Sequence, residues 1–254
     1  MFVAQALDLH GIKPHIISKK QKSVIYGAQY LHKPIPGLTS HASAIKIRTL
    51  RVGSPEVYAE RVYGLGTMPT SWAKVQPVAD AWDLRQTYDA AWDKFEADIM
   101  DIAVGPEDVP EYTAQFDMVI STIPLWAICA GGHNFQSQSI LVKKEVNFEQ
   151  VPVIGYNNWV IYNGTPKYHW YRASLINGHP STEATPVPTQ EQPSGWEAGF
   201  KVVGNDCDCH PTMVRAGRMG KWERGVLTHH AFEQTVHSIT EQFGSLEVGS
   251  WTDQ

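Results

Sequence analysis

The sequence predicts an α/β fold in which a parallel-sheet unit is built from both ends of the chain and a mainly antiparallel, strand-rich layer is inserted between them. Three observations carry this. The chain opens on "MFVAQALDLHGIKPHIISKK", a helix feeding a strand, which is the second half of a βαβ unit. "FDMVISTIPLWAICAGG" is a short, unalternating apolar run, the pattern of a strand buried on both faces. "SILVKKEVNF", "PVIGYNNWVIYN" and "YHWYRASLING" then follow closely as strands.

Phe2, Val3, Ala6, Leu7 and Leu9 fall near helical spacing, and Gly11 suits the position just past a helix end. "HIISKK" is a β-branched run ending in charge. "KSVIYGAQYLHKPIPGLTS" carries two glycines and two prolines and reads as a structured loop. "AIKIRTLRVG" and "PEVYAERVYG" read as a two-strand ribbon turning at Gly53-Ser54-Pro55. "DAWDLRQTYDAAWDKFEADIMDI" reads as one long helix with Leu84, Tyr88, Trp92, Phe95 and Ile99 on its apolar face. The polar segment from Asn177 to Ser194 reads as a long surface loop, and "GFKVVG" as a strand. "DCDCHPTMVRAGRMGKWERG" reads as loop, and "VLTHHAFEQTVHSITEQFG" as a closing helix that starts near Thr228 or His229.

Composition limits the functions. The chain has 254 residues, 43% hydrophobic and 19% charged, with net charge −5. That is a globular composition. No basic block exists to bind nucleic acid or an acidic membrane, and no apolar run approaches the roughly 20 residues of a helical membrane span. Three cysteines do not make a disulfide framework, so a reducing cytoplasm is the expected setting. Nine Trp and ten Tyr are enough both to fill a core and to line a pocket for a flat ligand.

Four stretches carry candidate chemistry. In "YGAQYLHKPIPG", Gly27 and Ala28 permit close approach of a ligand to the backbone, with Tyr30 and His32 beside them. Ser121 and Thr122 fall at the end of a buried strand, where ligands of open α/β sheets bind. "RAGRMGKWERGVLTHHAF" gathers Arg215, Arg218, Lys221 and Arg224 among three glycines just before a helix, a combination suited to an anion. "CDCH" suggests a metal, but its C-x-C spacing departs from the C-x₂₋₄-C of tetrahedral zinc sites and no second Cys pair completes it. Cys207 and Cys209 are therefore read as a thiol pair and Cys129 as a packed thiol, with no metal.

In this order the pieces resemble the FAD-dependent oxidoreductases of the glutathione-reductase-like superfamily, in the branch that contains amine oxidases and UDP-galactopyranose mutase. "GIKPHIISKK" is similar to that family's second Rossmann strand, "GAQYLHKPIPG" to the loop passing the flavin and "FDMVISTIPLWAIC" to the strand returning to the nucleotide domain. "RAGRMGKWERGVLTHHAFEQT" resembles the C-terminal FAD segment. The resemblance implies a Rossmann-like FAD-binding domain over 1–43, 110–135 and 198–254, with an inserted substrate domain over 44–109 and 136–197. It implies FAD contacts at Ser18, Gly27, Ala28, Gln29, Ser121, Thr122, Gly217, Arg218, Thr228, His229 and His230. Tyr30, His32, Trp170 and Arg172 would face a small, anionic substrate, with no nucleic acid or membrane as partner.

One departure is large. The family opens with a strand and G-x-G-x-x-G, and this sequence holds neither. The expectation is that Met1 is internal and that the missing strand and phosphate loop lie upstream. Ser18-Lys19-Lys20 also stands where the family usually has a ribose-gripping acid. The leading reading is a flavoenzyme of oxidoreductase type. The alternatives are an FAD-dependent sugar-nucleotide mutase-like enzyme and a non-catalytic, degenerate nucleotide-binding protein.

Overall fold

The computed structural model describes residues 1–25, 30–40, 43–64, 79–147, 149, 151, 155, 157–186 and 194–244. Its elements are α1 (Phe2–Leu9), β1 (Ile16–Ser18), β2 (Tyr30–Leu31), β3 (Ile45–Gly53), α2 (Pro55–Tyr63), β4 (Ala79–Asp83), α3 (Leu84–Phe95), β5 (Ile99–Asp101), α4 (Val109–Gln115) and β6 (Ile120–Ser121). There follow β7 (Phe135–Lys143), β8 (Trp159–Gly164), β9 (Trp170–Ile176), β10 (His179–Ala184), β11 (Glu197–Asn205), β12 (Val214–Arg215), α5 (Gly217–Lys221) and α6 (His230–Phe243).

The mixed α/β class is observed. One eight-stranded sheet runs β11-β7-β10-β9-β8-β3-β4-β2. Its neighbours are antiparallel except β3 and β8, which pair parallel with Arg48 opposite Trp159. Two smaller sheets are parallel: β1 with β5 (Ile16 opposite Ile99) and β12 with β6 (Val214 opposite Ile120). Among the described residues these two parallel pairs are separate sheets, and no continuous parallel sheet joins them. β5 lies with β1, although the sequence reading sets residues 99–101 in the inserted unit. The chain ends meet: α1 packs on α6, and Phe2, Ala6, Leu31, Trp82, Leu84 and Phe232 close one core there.

Four expectations are corrected. "PEVYAERVY" is helix α2. The Ser54 hydroxyl accepts hydrogen bonds from the N–H of Glu56 (3.2 Å) and Val57 (3.3 Å), Pro55 fills the first turn, and Gly64 closes the helix at φ +66°. Those caps outweigh a β-branched and aromatic composition, and Tyr58, Ala59 and Val62 form the buried face. The helix can begin on top of β8 because Gly53 and Gly164 are both bare: a Cβ on Gly164 would lie 1.8 Å from the Ser54 carbonyl oxygen.

The long helix over 80–102 is in fact strand, helix and strand. Asp83 divides it. One carboxylate oxygen accepts from the N–H of Arg85 (2.7 Å) and Gln86 (3.4 Å), while the other accepts from Asn177 Nδ2 (2.7 Å). That cap starts α3 at Leu84 and leaves 79–83 extended against β3. Residues 179–184 form strand β10 between β9 and β7 in place of the expected loop, and residues 187–193 lie outside the described ones. The run at 116–123, expected to be buried on both faces, is mostly half-buried and contributes only the two residues of β6 to a strand before the turn at Pro124.

Asp83→Ala is expected to cost about 2 kcal/mol, from a lost cap and an orphaned Asn177 amide. Asp80→Ala, which removes an exposed pair with Lys46, is expected to change stability by less than about 0.5 kcal/mol. Urea unfolding of the two variants checks both.

Candidate functional site

Close backbone contacts set the position of the basic segment. Ala216 donates its N–H to the Ser121 carbonyl (2.9 Å), extending the β12–β6 pair. A Cβ on Gly220 would meet the same oxygen at 2.3 Å, so only glycine lets α5 lie against the end of β6. Gly217, at φ +71°, donates its N–H to Gln234 Oε1 (2.8 Å), which ties the start of α5 to α6. The chain then passes through Arg218 and Arg224 to the first turn of α6.

Two polar side-chain atoms in this segment are buried without partners. Arg218 donates Nε to the Val226 carbonyl (2.9 Å), and burial lowers its pKa. Arg224 stacks its guanidinium over Tyr63 (5.0 Å), and its Nη1 is buried with no hydrogen bond. His229 is 3% exposed, and its Nδ1 also has no partner. Burial, reinforced by His230, holds the His229 imidazole down at about 4. The rings continue as a wall: His230 lies 4.4 Å from His229, His32 lies 6.1 Å from His229, and Tyr30 lies 4.8 Å from His32. Burial lowers the pKa of His32 and raises that of Tyr30. At neutral pH His229 and His32 are therefore uncharged.

A second charged group lies within electrostatic reach of Arg218. Glu183 is 2% exposed and accepts from Arg172 Nε (2.7 Å), Arg172 Nη2, Lys201 Nζ (2.9 Å) and the Tyr171 hydroxyl (3.1 Å). Burial alone would raise its pKa, but Arg172 and Lys201 together outweigh that and hold it at about 2. Lys201 is lowered to about 8, by burial first and by Arg172 second. Arg172 and Arg218 each repel the Lys201 charge, so the cluster carries more buried cation than its carboxylate offsets.

These positions bring some sequence candidates together and separate others. Tyr30, His32, His229 and His230 form one row of rings, and Gly217 and Arg218 stand at the start of α5, which Gln234 ties to α6. Thr228 is exposed, and its carbonyl accepts from the Ala231 N–H (3.3 Å) in the first turn of α6. Ser18, Ser121 and Thr122 instead line a separate cavity of about 430 Å³ beneath α1, bordered by both parallel pairs. Ser18 donates to the Lys19 carbonyl (3.3 Å), and the Ser121 hydroxyl accepts from the Ile123 N–H (3.2 Å), capping the turn. Gly27, Ala28 and Gln29 lie outside the described residues.

Two substrate candidates have partners within the fold. Arg172 directs Nε and Nη2 at Glu183. Trp170 is buried with Trp159 and Ile161 and stacks on Tyr168 (5.8 Å).

The thiol pair expected at Cys207 and Cys209 is joined in the fold by a third cysteine and a histidine. His210 turns away to the Ile128 carbonyl (2.8 Å), but Cys129 and His133 close on Cys207 and Cys209. The only sequence signal was Cys-x₃-His on one side of β7 and Cys-x-Cys at the far end of β11. His229, His230 and Glu233 also lie near one another. There, Glu233 is paired with Lys33 (2.6 Å), and His230 Nδ1 accepts from the Leu227 N–H (3.1 Å). No protein-family model matches the chain, and no curated protein matches it.

Glu183→Gln strands two buried cations and is expected to cost about 3–5 kcal/mol, whereas Lys201→Met leaves the Arg172 pair whole and costs less. Chemical denaturation ranks the two. Acid weakens the fold in two windows. His229 sits at about 4, below its ordinary 6.5, so its stabilisation is full above pH 6.5 and lost as pH falls through 4. Glu183 sits at about 2, below its ordinary 4.5, so its share is lost between 4.5 and 2. His229→Asn is expected to flatten the upper window of a melting-temperature profile and leave the lower one.

Proposed function

We propose that the chain is an FAD-dependent oxidoreductase that holds the anionic part of its cofactor against the α5–α6 segment and acts on a small, anionic substrate. The observation that carries this reading is the surplus of buried basic nitrogen there. Arg224 Nη1 and His229 Nδ1 are orphaned within five residues of chain, and Arg218 donates to a carbonyl rather than a carboxylate. Orphaned buried donors are costly, and a phosphate oxygen is the acceptor that removes the cost for an arginine. The fit is therefore favourable at the phosphate side. α6 adds the positive end of a 14-residue helix dipole at the same place.

Bound flavin would supply the electron-transfer chemistry. The chain's own residues have simpler tasks. Arg218 and Arg224 offset phosphate charge. Neutral His229 and His32, with Tyr30, give a flat wall against which a ring can lie. Lys201, held near 8, is able to keep or release a proton near neutral pH beside Arg172 and Glu183.

Titration of the full chain with FAD, followed by quenching of flavin fluorescence, tests the reading. Saturable binding is expected, with Arg218→Gln and Arg224→Gln each weakening it about tenfold or more. ADP is expected to compete. No saturation at millimolar FAD, or an affinity indifferent to both substitutions, would overturn the proposal.

A further inference from the structure

We propose that Cys129, His133, Cys207 and Cys209 form a structural zinc site that clasps the turn after β6 to the loop between β11 and β12. Four ligand atoms, one from each residue, lie within 4.8 Å of one another. The separations are those of a tetrahedron around a metal. A zinc–sulfur bond of about 2.3 Å and a zinc–nitrogen bond of about 2.0 Å give tetrahedral edges of about 3.8 Å between sulfurs and about 3.5 Å between sulfur and nitrogen. Here Cys129 Sγ is 3.7 Å from Cys207 Sγ, and His133 Nδ1 is 3.2 Å from Cys129 Sγ and 3.6 Å from Cys209 Sγ. The sulfurs are too far apart for a disulfide, and all three cysteines are free.

A second, independent observation supports a metal. His133 directs Nδ1 at the sulfurs and its other ring nitrogen, Nε2, at Asp208 Oδ1 (3.1 Å). A carboxylate behind the imidazole of a metal ligand fixes the tautomer and raises its basicity. The Gly131 N–H points at Cys129 Sγ (3.4 Å), and Arg215 donates to the carbonyls of Cys207 (2.7 Å) and Cys209, which holds the Cys-x-Cys turn open toward the other two ligands. Apolar Ile128, Met213 and Trp222 pack against Cys207 and shut out water on that side.

Three thiolates and one imidazole in tetrahedral array select Zn²⁺, and a closed set of four protein ligands makes the site structural rather than catalytic. Binding is acid–base chemistry without redox: Zn²⁺ takes the sulfurs as thiolates, and their protons pass to solvent. The clasp precedes β12 and α5, so it steadies the strand that leads to Arg218. The inference does not depend on the flavin reading.

Metal uptake by the reduced full chain tests it. One zinc per chain is expected, and Co²⁺ in its place is expected to give the strong visible bands and thiolate-to-cobalt charge transfer of a tetrahedral thiolate site. Asp208 is exposed, so Asp208→Asn spares the fold. It is expected to lower zinc affinity about tenfold to a hundredfold in competition with a chromophoric chelator. Failure of the reduced chain to take up stoichiometric zinc or cobalt would overturn the site. So would a Cys209→Ser chain whose cobalt charge transfer is unchanged.

Discussion

The charge on Glu183 organises one face of this molecule. The carboxylate lies inside the eight-stranded sheet, where desolvation disfavours it, and it persists as an anion because Arg172 and Lys201 enclose it. Such a cluster adds little net stability over an apolar core, but removing its carboxylate leaves two cations unmatched. It therefore fixes which strands lie together: β9 supplies Arg172, β10 supplies Glu183 and β11 supplies Lys201. Tyr58 of α2 and Tyr171 of β9 seal it. α5 then brings Arg218 to its edge. The cluster is left with more cation than anion, and Arg224 of the α5–α6 segment, with its orphaned nitrogen, stacks over Tyr63, which packs with Tyr58 and Tyr171. The proposed anionic ligand would answer both features at once.

The sequence was informative where a segment's neighbours in the chain determine its structure. α1, β1, β7, β8, β9, β11 and the start of α6 follow from periodicity, glycine and β-branched runs. It misled where a single capping side chain decided the outcome. Ser54 turns an apparent second strand into α2, and Asp83 cuts an apparent long helix in two. β10 was missed because a polar strand between two others is held by backbone ladders, which leave no hydrophobic trace in "HPSTEA".

The same contrast holds at the sites. Gly217, Arg218, His229 and His230 were legible because they share one stretch of chain with the glycines that bend it. The opposite fate of Arg172 depended on Glu183, eleven residues away across a strand pair. Arg224 and its orphaned nitrogen could be recognised only as part of a basic cluster. The Cys129–His133–Cys207–Cys209 tetrahedron joins residues 78 positions apart, and neither half alone has metal-ligand spacing. It becomes visible once β7 and β11 pair, because that register brings Phe135 opposite Asn205 and so sets the two flanking turns side by side.

The central claim is that this basic, histidine-walled segment holds a flavin nucleotide. The visible absorption spectrum of the purified full chain, reconstituted with excess FAD and then desalted, tests it most directly. The account predicts flavin bands that travel with the protein, shifted and resolved relative to free FAD. A colourless protein, with all flavin left in the small-molecule fraction, would contradict it.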